Sequence, residues 1–366
     1  MKLRIIFLFA TIVLVLLPFR VMYAQAKPDT LKRVKPLVIP VLFRSPETRW
    51  AFGVAGSLSF KTTFPGDSTT RLSNIQGIVM ETQRHQNIEA IDATVYFPQE
   101  KYILTLLTSH SYYPDYYWGI GPNTKDTARE RYSFEQIHFN PHLKKKIAKD
   151  FFAGFVYEYQ KLYHIRYQQG GEFDHTPDIG KSDYVVSGAG GSLCYDTRNA
   201  AFWPTHGIYA QLMATCFNQV LGSQYNDVKL TTDIRWFQSV FIKHVIAMQF
   251  YTYSNIGEAP IRELAAFGGS NNVRGYYQGR YRDKNMYSYV AEYRAPLFWR
   301  LSACAFIGMG NVYRKTHDLV ASDLKYSYGG GVRLAVLKKE RLNIRMDYGY
   351  YNRHNKGLYF TVGECF

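Results

Sequence analysis

Past its first residues the chain has no apolar run long enough to cross a bilayer as a helix, which takes about 20 residues. After residue 26, charged or polar side chains break every such stretch. A bundle of membrane helices is therefore excluded. Cysteine is scarce. Cys194, Cys216, Cys304 and Cys365 form no Cys-x-x-Cys pair, and each falls in a strand-like segment. Small apolar fillers fit them better than a disulfide framework or a zinc site. No Pro/Ser tract, long charge block or shift in composition marks a linker, so one large domain is expected rather than the two that length alone suggests. Acids are the minority charge: 29 against 44 lysines and arginines, a net +15. Such a balance points to nucleic acid or anionic lipid. The basic residues are dispersed, apart from "LKKKIAK" at 143–149, which reads as a solvated turn or a contact with acidic head groups.

The chain opens with Lys2 and Arg4, an apolar "IIFLFATIVLVLLPF", and small residues at Ala24 and Ala26. This pattern is a cleaved export signal over 1–26. A short periplasmic tail follows at 27–36, then a single domain over 37–366. Export argues against a nucleic-acid partner. An exported chain without helical spans can still live in a membrane if its strands close a barrel. The 31 tyrosines and 24 phenylalanines suit half-buried strands and interfacial belts.

Alternation with period two runs along the whole chain. In "RLNIRMDYGY", Leu342, Ile344, Met346, Tyr348 and Tyr350 oppose Arg341, Asn343, Arg345, Asp347 and Gly349. In "YNDVKLTTDIRW", Val228, Leu230, Ile234 and Trp236 oppose Asp227, Lys229, Asp233 and Arg235. The spacing predicts strands over 37–44, 49–60, 71–82, 86–98, 101–111, 132–144, 150–162 and 183–195. It predicts further strands over 205–216, 224–237, 239–253, 286–296, 299–313, 324–337, 340–350 and 356–366. That makes about sixteen, many reaching the ~9–11 residues of a tilted membrane strand, and an even number suits a bacterial barrel. Short links such as "PQEK" and "LKKE" contrast with long ones at 112–131, 163–182 and 254–285. The fold class expected is an all-β transmembrane antiparallel barrel with short periplasmic turns and long outer loops.

Residues 268–283, "GGSNNVRGYYQGRYRD", mimic a phosphate-binding loop. The Lys-Ser/Thr ending is missing, however, and a strand follows instead of a helix. In that strand Ser288, Val290, Glu292 and Arg294 share one face. The sequence here resembles the BamA/TamA family of outer-membrane assembly barrels, also called the bacterial surface antigen family. The likeness rests on Val273, Arg274, Gly275 and Tyr276, preceded by Gly268 and Gly269. It rests also on "YDTRNAAFWPTHGIY", with Asp196, Arg198, Pro204 and Gly207, on "VAEYRAPL", and on the closing "GLYFTVGECF", with Gly357, Gly363 and Phe366. It covers 180–366 by motif and the first half by pattern.

The resemblance implies a long outer loop folded into the lumen, with Arg274 bound to acids on the inner wall. Glu292 is the first acceptor expected. The family's second acceptor, an aspartate in an aromatic-x-Asp-x-Gly pattern, is replaced by Gly308 in "FIGMG", leaving Asp347 as a possible substitute. The family's periplasmic transport-associated domains have no counterpart in so short a tail. The function implied is insertion or translocation of proteins, or lipids, at the bacterial outer membrane. The partners implied are outer-membrane lipid and periplasmic or lipoprotein accessory subunits around a monomeric barrel. A passive or gated channel is the alternative. No nucleophile-base-acid set gathers in one place, so no enzyme is expected. His138 and His142 stand too far apart on a strand to share a metal, and no cofactor is expected.

Overall fold

The computed structural model describes residues 35–63, 67, 70–176, 179–200, 203–315, 318, 323–337, 342–351 and 356–366. The export signal and most of the tail lie outside them. Lys35 and Pro36, assigned above to the tail, begin the first strand.

The barrel starts with β1 (Lys35–Ser45), β2 (Arg49–Phe60), β3 (Ser73–Thr82) and β4 (Asn87–Tyr96). Longer strands follow: β5 (Tyr102–Tyr117), β6 (Glu130–Ala148) and β7 (Phe151–Arg166). Then come β8 (Tyr184–Asp196), β9 (Gly207–Phe217), β10 (Asp227–Phe241) and β11 (His244–Gly257). Two short strands, β12 (Ala265–Phe267) and β13 (Tyr281–Asp283), pair with each other inside the 258–284 loop. The barrel resumes with β14 (Asn285–Pro296), β15 (Leu301–Tyr313), β16 (Lys325–Leu337), β17 (Leu342–Tyr350) and β18 (Lys356–Val362). Sixteen strands close antiparallel, β1 meeting β18. Closure satisfies backbone groups that lipid cannot. Among the described residues no helix is long and apolar enough to cross a membrane.

Alternation decides which side of each strand meets lipid. Phe52, Phe155, Leu193, Ile256 and Tyr326 are all more than half exposed. In water such a surface would be costly, at roughly 25 cal/mol per Å²; against hydrocarbon it is matched. The opposite parity carries the buried polar residues, among them Glu158, Lys229, Glu292, Arg333 and Asp347.

Several boundaries differ from the expected ones. β5 runs to Tyr117 and β7 to Arg166, past the expected 111 and 162 at the end that holds the long loops, whereas β6 runs past 144 to Ala148 at the other end. The β5 extension carries Tyr117, which joins Tyr132, Phe134, Leu162 and Phe173 in a buried cluster. Mixed aromatic and polar residues there hid the ladder. The expected strand 239–253 starts at His244, because β10 continues to Phe241 and Lys243 turns with φ 66°. The alternation of short and long links also fails near the start. The links at 46–48 and 83–86 are tight, whereas 61–72, at the opposite end, is long. The closing strand ends at Val362, not 366, because Gly363 takes φ 87° and leaves the ladder. Cys365 therefore lies beyond the strand; all four cysteines are free thiols.

Candidate functional site at the 258–284 loop

The site is built where the loop meets the inward faces of β14 to β18. Positive φ at Gly268, Gly269, Gly275 and Gly279 bends the loop, and Gly269 N–H donates to the Tyr276 carbonyl at 3.1 Å. At Gly275 the backbone comes within 3.3 Å of Gly349 and Tyr350 on β17, measured from where a Cβ would sit. Reciprocally, a Cβ on Gly349 would lie 2.9 Å from the Arg274 carbonyl. Glycine on both sides permits this approach.

The approach delivers Arg274, 1% exposed, to two carboxylates. Its Nη2 lies 2.6 Å from Glu292 Oε2 on β14, and its Nη1 lies 2.6 Å from Asp347 Oδ2 on β17. The guanidinium covers the Phe306 ring at 3.6 Å from the ring centre, where a desolvated cation–π contact adds to the ion pairs. Both expected acceptors, Glu292 and Asp347, are thus brought together at Arg274. Gly308 on β15 has a different use. A Cβ there would lie 3.2 Å from Val273 Cγ1, so the missing side chain makes room for Val273, which is fully buried.

The cluster is larger than expected. Arg333 binds Asp347 through Nη1 and reaches Glu292 Oε1 and Glu364 Oε2, each at 3.3 Å. Arg294 Nε lies 2.8 Å from Glu292 Oε1. Arg345 donates to Thr361 Oγ1 at 2.5 Å and holds the loop through the Ser270 carbonyl at 2.9 Å. Four arginines thus surround Glu292, Asp347 and Glu364. A buried network of this kind specifies one arrangement strongly, because removing either sign leaves an unpaired charge. The polar parity of Arg345 and Asp347 was legible in the alternation of 341–350. Glu364 was not, because it lies past the turn at Gly363.

Tyr276 stacks on Tyr351 with ring centres 3.8 Å apart, and its hydroxyl donates to the Tyr326 carbonyl at 3.2 Å. The Tyr359 hydroxyl on β18 accepts from Gly275 N–H and donates to the Tyr276 carbonyl. Gly357 leaves room for the Tyr359 ring, 2.7 Å from where its Cβ would be. On the other side of the β1–β18 junction, Gln278 N–H donates to Glu47 Oε1 at 2.6 Å. Burial pushes the Glu47 carboxyl up from the usual glutamate range. Neither Tyr359 nor Glu47 carries a signal that the sequence alone would single out.

Phe366, expected to end the closing strand, lies beyond it and packs with buried Phe237, Phe267 and Val273, its ring centre 6.2 Å from that of Phe237. The hairpin residues Asp196, Arg198, Pro204 and Gly207 lie away from this cluster. Asp196 accepts from Arg198 Nε at 2.9 Å and from Arg71 Nη1 at 2.7 Å, and Arg71 also grips Glu100. Pro204 is buried, and Gly207 turns with φ 108° beside the Thr197 carbonyl. This second knot ties the link at 61–72 to the β8–β9 hairpin. His138 and His142 have separate partners: His138 lies 3.7 Å from Glu158, and His142 bonds Ser192 Oγ at 2.6 Å. Among the described residues no group of three metal-ligating side chains gathers.

Comparison with known proteins places this geometry. The Omp85 superfamily domain matches residues 80–366, well beyond the 180–366 that the motifs covered. BamA from Haemophilus ducreyi, lacking POTRA domains 1-3, superposes with a TM-score of 0.58 at 11% identity, over 90% of this chain and 70% of that one. CdiB from Escherichia coli superposes at 0.58 and 12%, over 90% and 62%. CdiB from Acinetobacter baumannii does so at 0.57 and 9%, over 91% and 60%. The chain thus spans about three fifths of the two CdiB chains, and these likenesses speak to fold alone. No curated protein matches the sequence. The chain belongs to the Omp85 superfamily, and its closed sixteen-stranded barrel resides in the bacterial outer membrane.

Proposed function

We propose that this barrel takes part in inserting or translocating proteins at the outer membrane, through a seam between β1 and β18. The observation that carries this reading is the pairing at that junction. β1 pairs with β2 along its whole length, yet among the described residues its register with β18 is a single pair, Arg44↔Phe360. By that register β18 ends opposite Leu42, so residues 35–41 of β1 run past its end and, among the described residues, keep a row of backbone groups with no ladder on that side. Such an edge is a template for an incoming strand. Pro36 and Pro40 within β1 remove two ladder donors.

In this reading the 258–284 loop is a clasp. It bonds Tyr359 on one side of the seam and Glu47 on the other, and the Arg274 lock fixes its position. The long-loop end faces the exterior, residues 1–26 are the export signal, and periplasmic or lipoprotein subunits supply the handling domains. The barrel works as a monomer, and no catalytic role is assigned to it.

The test is a cross-link. Antiparallel partners lie close enough for a disulfide. Arg44→Cys with Phe360→Cys, in a background free of other cysteines, would be oxidised in the membrane while assembly of other barrels is followed. Assembly that stops on oxidation and returns on reduction supports the seam. Assembly that continues through an oxidised junction rejects it.

A cavity of about 830 Å³ inside the barrel, lined by groups such as Glu158, Lys229, Asp233 and Arg235, favours a second reading, a gated channel. Planar-bilayer recording separates the two. Large steady conductance supports the channel, and small flickering events support a plugged barrel.

A further inference from the structure

A second cavity, of about 420 Å³, sits at the loop-end rim of the β1–β18 seam. Basic residues from separate segments meet there: Arg44 near the end of β1, Arg49 at the start of β2, Arg84 in the 83–86 turn, Arg129 before β6, Arg280 from the clasp loop and Lys356 opening β18. One acid, Asp126, lines the same space. It is already held by Arg280, at 2.9 Å to Nε and 2.7 Å to Nη2, while Arg280 spends its other N–H groups on Thr124. Among the described residues the other five cations have no carboxylate within ion-pair distance.

In the lumen cluster each arginine meets an acid; here six positive groups line one open space, and its single acid, Asp126, is taken up by Arg280. They are not loose. Arg44 lies over the Trp50 ring at 5.3 Å, and Arg84 and Arg129 lie over Tyr116 at 4.7 and 5.0 Å. The Arg84 guanidinium donates to the Pro46 carbonyl at 3.0 Å, yet its Nε is buried without a partner. Like charges held together repel, and a multiply charged anion relieves that repulsion. Guanidinium forks match phosphate oxygens in pairs.

The surface beside the cavity identifies the source of the phosphate. Arg44 shares the outward parity of Val38 and Leu42 on β1, and Trp50 shares that of Phe52 and Val54 on β2. All four of these apolar side chains are exposed on the barrel exterior. An anion seated at Arg44 therefore has an apolar strip running down the barrel wall below it. Leu358 of β18 lines the cavity on the other side of the seam. We propose that this rim cavity binds the phosphorylated head group of a membrane lipid, with the acyl chains along the β1–β2 exterior. A single head group touching Arg44 and Lys356 would bridge β1 and β18 where the backbone supplies one pair. Binding itself does not depend on whether the barrel assembles proteins.

The test uses the full barrel in zwitterionic detergent, with native mass spectrometry or thermophoresis as the readout. The probes are lipid A, the same lipid stripped of its phosphates, and inorganic pyrophosphate. Two pairs of substitutions are compared, Arg84→Gln with Arg129→Gln and Arg44→Gln with Lys356→Gln, each checked for folding by heat-modifiable gel migration. The expected result is retention of lipid A, with a loss of about tenfold or more in each folded double variant, and little binding of the dephosphorylated lipid. Two outcomes would overturn the proposal. One is equal affinity for both lipids, or affinity unchanged in a folded variant. The other is pyrophosphate binding as tight as lipid A, which would make the cavity a site for soluble anions.

Discussion

Tyr359 and Gly275 are joined across the barrel wall: the phenol oxygen of β18 accepts the Gly275 N–H at 3.0 Å and donates to the next carbonyl, that of Tyr276, also at 3.0 Å. The last strand and the loop are therefore one mechanical unit at this point. The loop makes its matching bond, Gln278 N–H to Glu47, on the far side of the junction. In the proposed function, movement of the loop and opening of the seam are coupled through these two contacts.

Tyr359→Phe keeps the ring and removes both bonds. Gly275 N–H is left buried without an acceptor, a loss of about 1–3 kcal/mol. The variant should show a lower unfolding midpoint in urea and faster cross-linking of probes placed at the seam. An unchanged midpoint together with unchanged cross-linking would remove Tyr359 from the coupling.

Arg274→Ala leaves Glu292 and Asp347 facing each other with only Arg294, Arg333 and Arg345 to compensate. Breaking a buried pair typically costs about 3–5 kcal/mol. The expected outcome is a loop that proteases cut and a barrel of higher conductance. Arg274→Lys should recover only part of the stability, since one ammonium cannot bridge both carboxylates as the fork does. Protease resistance equal to that of the natural chain in Arg274→Ala would take the lock out of the account.

Gly308→Asp restores the acceptor that the BamA/TamA pattern carries. Here it should destabilise, by roughly 1–3 kcal/mol, because its Cβ crowds Val273. Val273→Ala in the same chain should relieve the loss. If Gly308→Asp alone raises the thermal midpoint, the position of the acceptor is set by something other than the space Val273 needs.

Glu47 supplies a pH dependence. Its folded-state carboxyl lies above the usual range because burial disfavours the charged form, and nearby Asp115 acts in the same direction. The fold therefore holds its proton more tightly than the unfolded chain does. The stability from this group is complete below the unfolded glutamate range and is lost as pH rises through the folded value. Glu47→Gln, permanently neutral and still an acceptor for Gln278, should flatten that part of the stability–pH curve. Parallel curves for the two proteins would contradict the assignment.

The barrel was legible because its physics is local. A strand that faces lipid on one side and water or polar groups on the other must alternate, and Ile344, Met346 and Tyr348 against Asn343, Arg345 and Asp347 do so without exception. The lock was legible because the Val273–Tyr276 stretch resembles the family's lumen loop, and because Glu292 and Asp347 had inward parity. What escaped depends on three-dimensional approach. The tall ends of β5 and β7 alternate aromatic with polar residues, which resembles loop composition. Tyr359 and Glu47 gain their roles only from a loop 83 or more residues away in sequence. Glu364 joins the cluster because Gly363 turns the chain, a turn that one glycine near a strand end does not announce.

The close approach of Gly275 to Gly349 bears on how the molecule is made. A peg seated against the inside of a hoop is enclosed once the staves meet around it. Its docking partners on β14 and β17 are synthesised after it, and the two rim strands that complete the circle come from opposite ends of the chain. Contacts so distant in sequence make for slow closure, and the peg's own seat, with no side chain on either face, leaves the final hoop almost no freedom in where it settles.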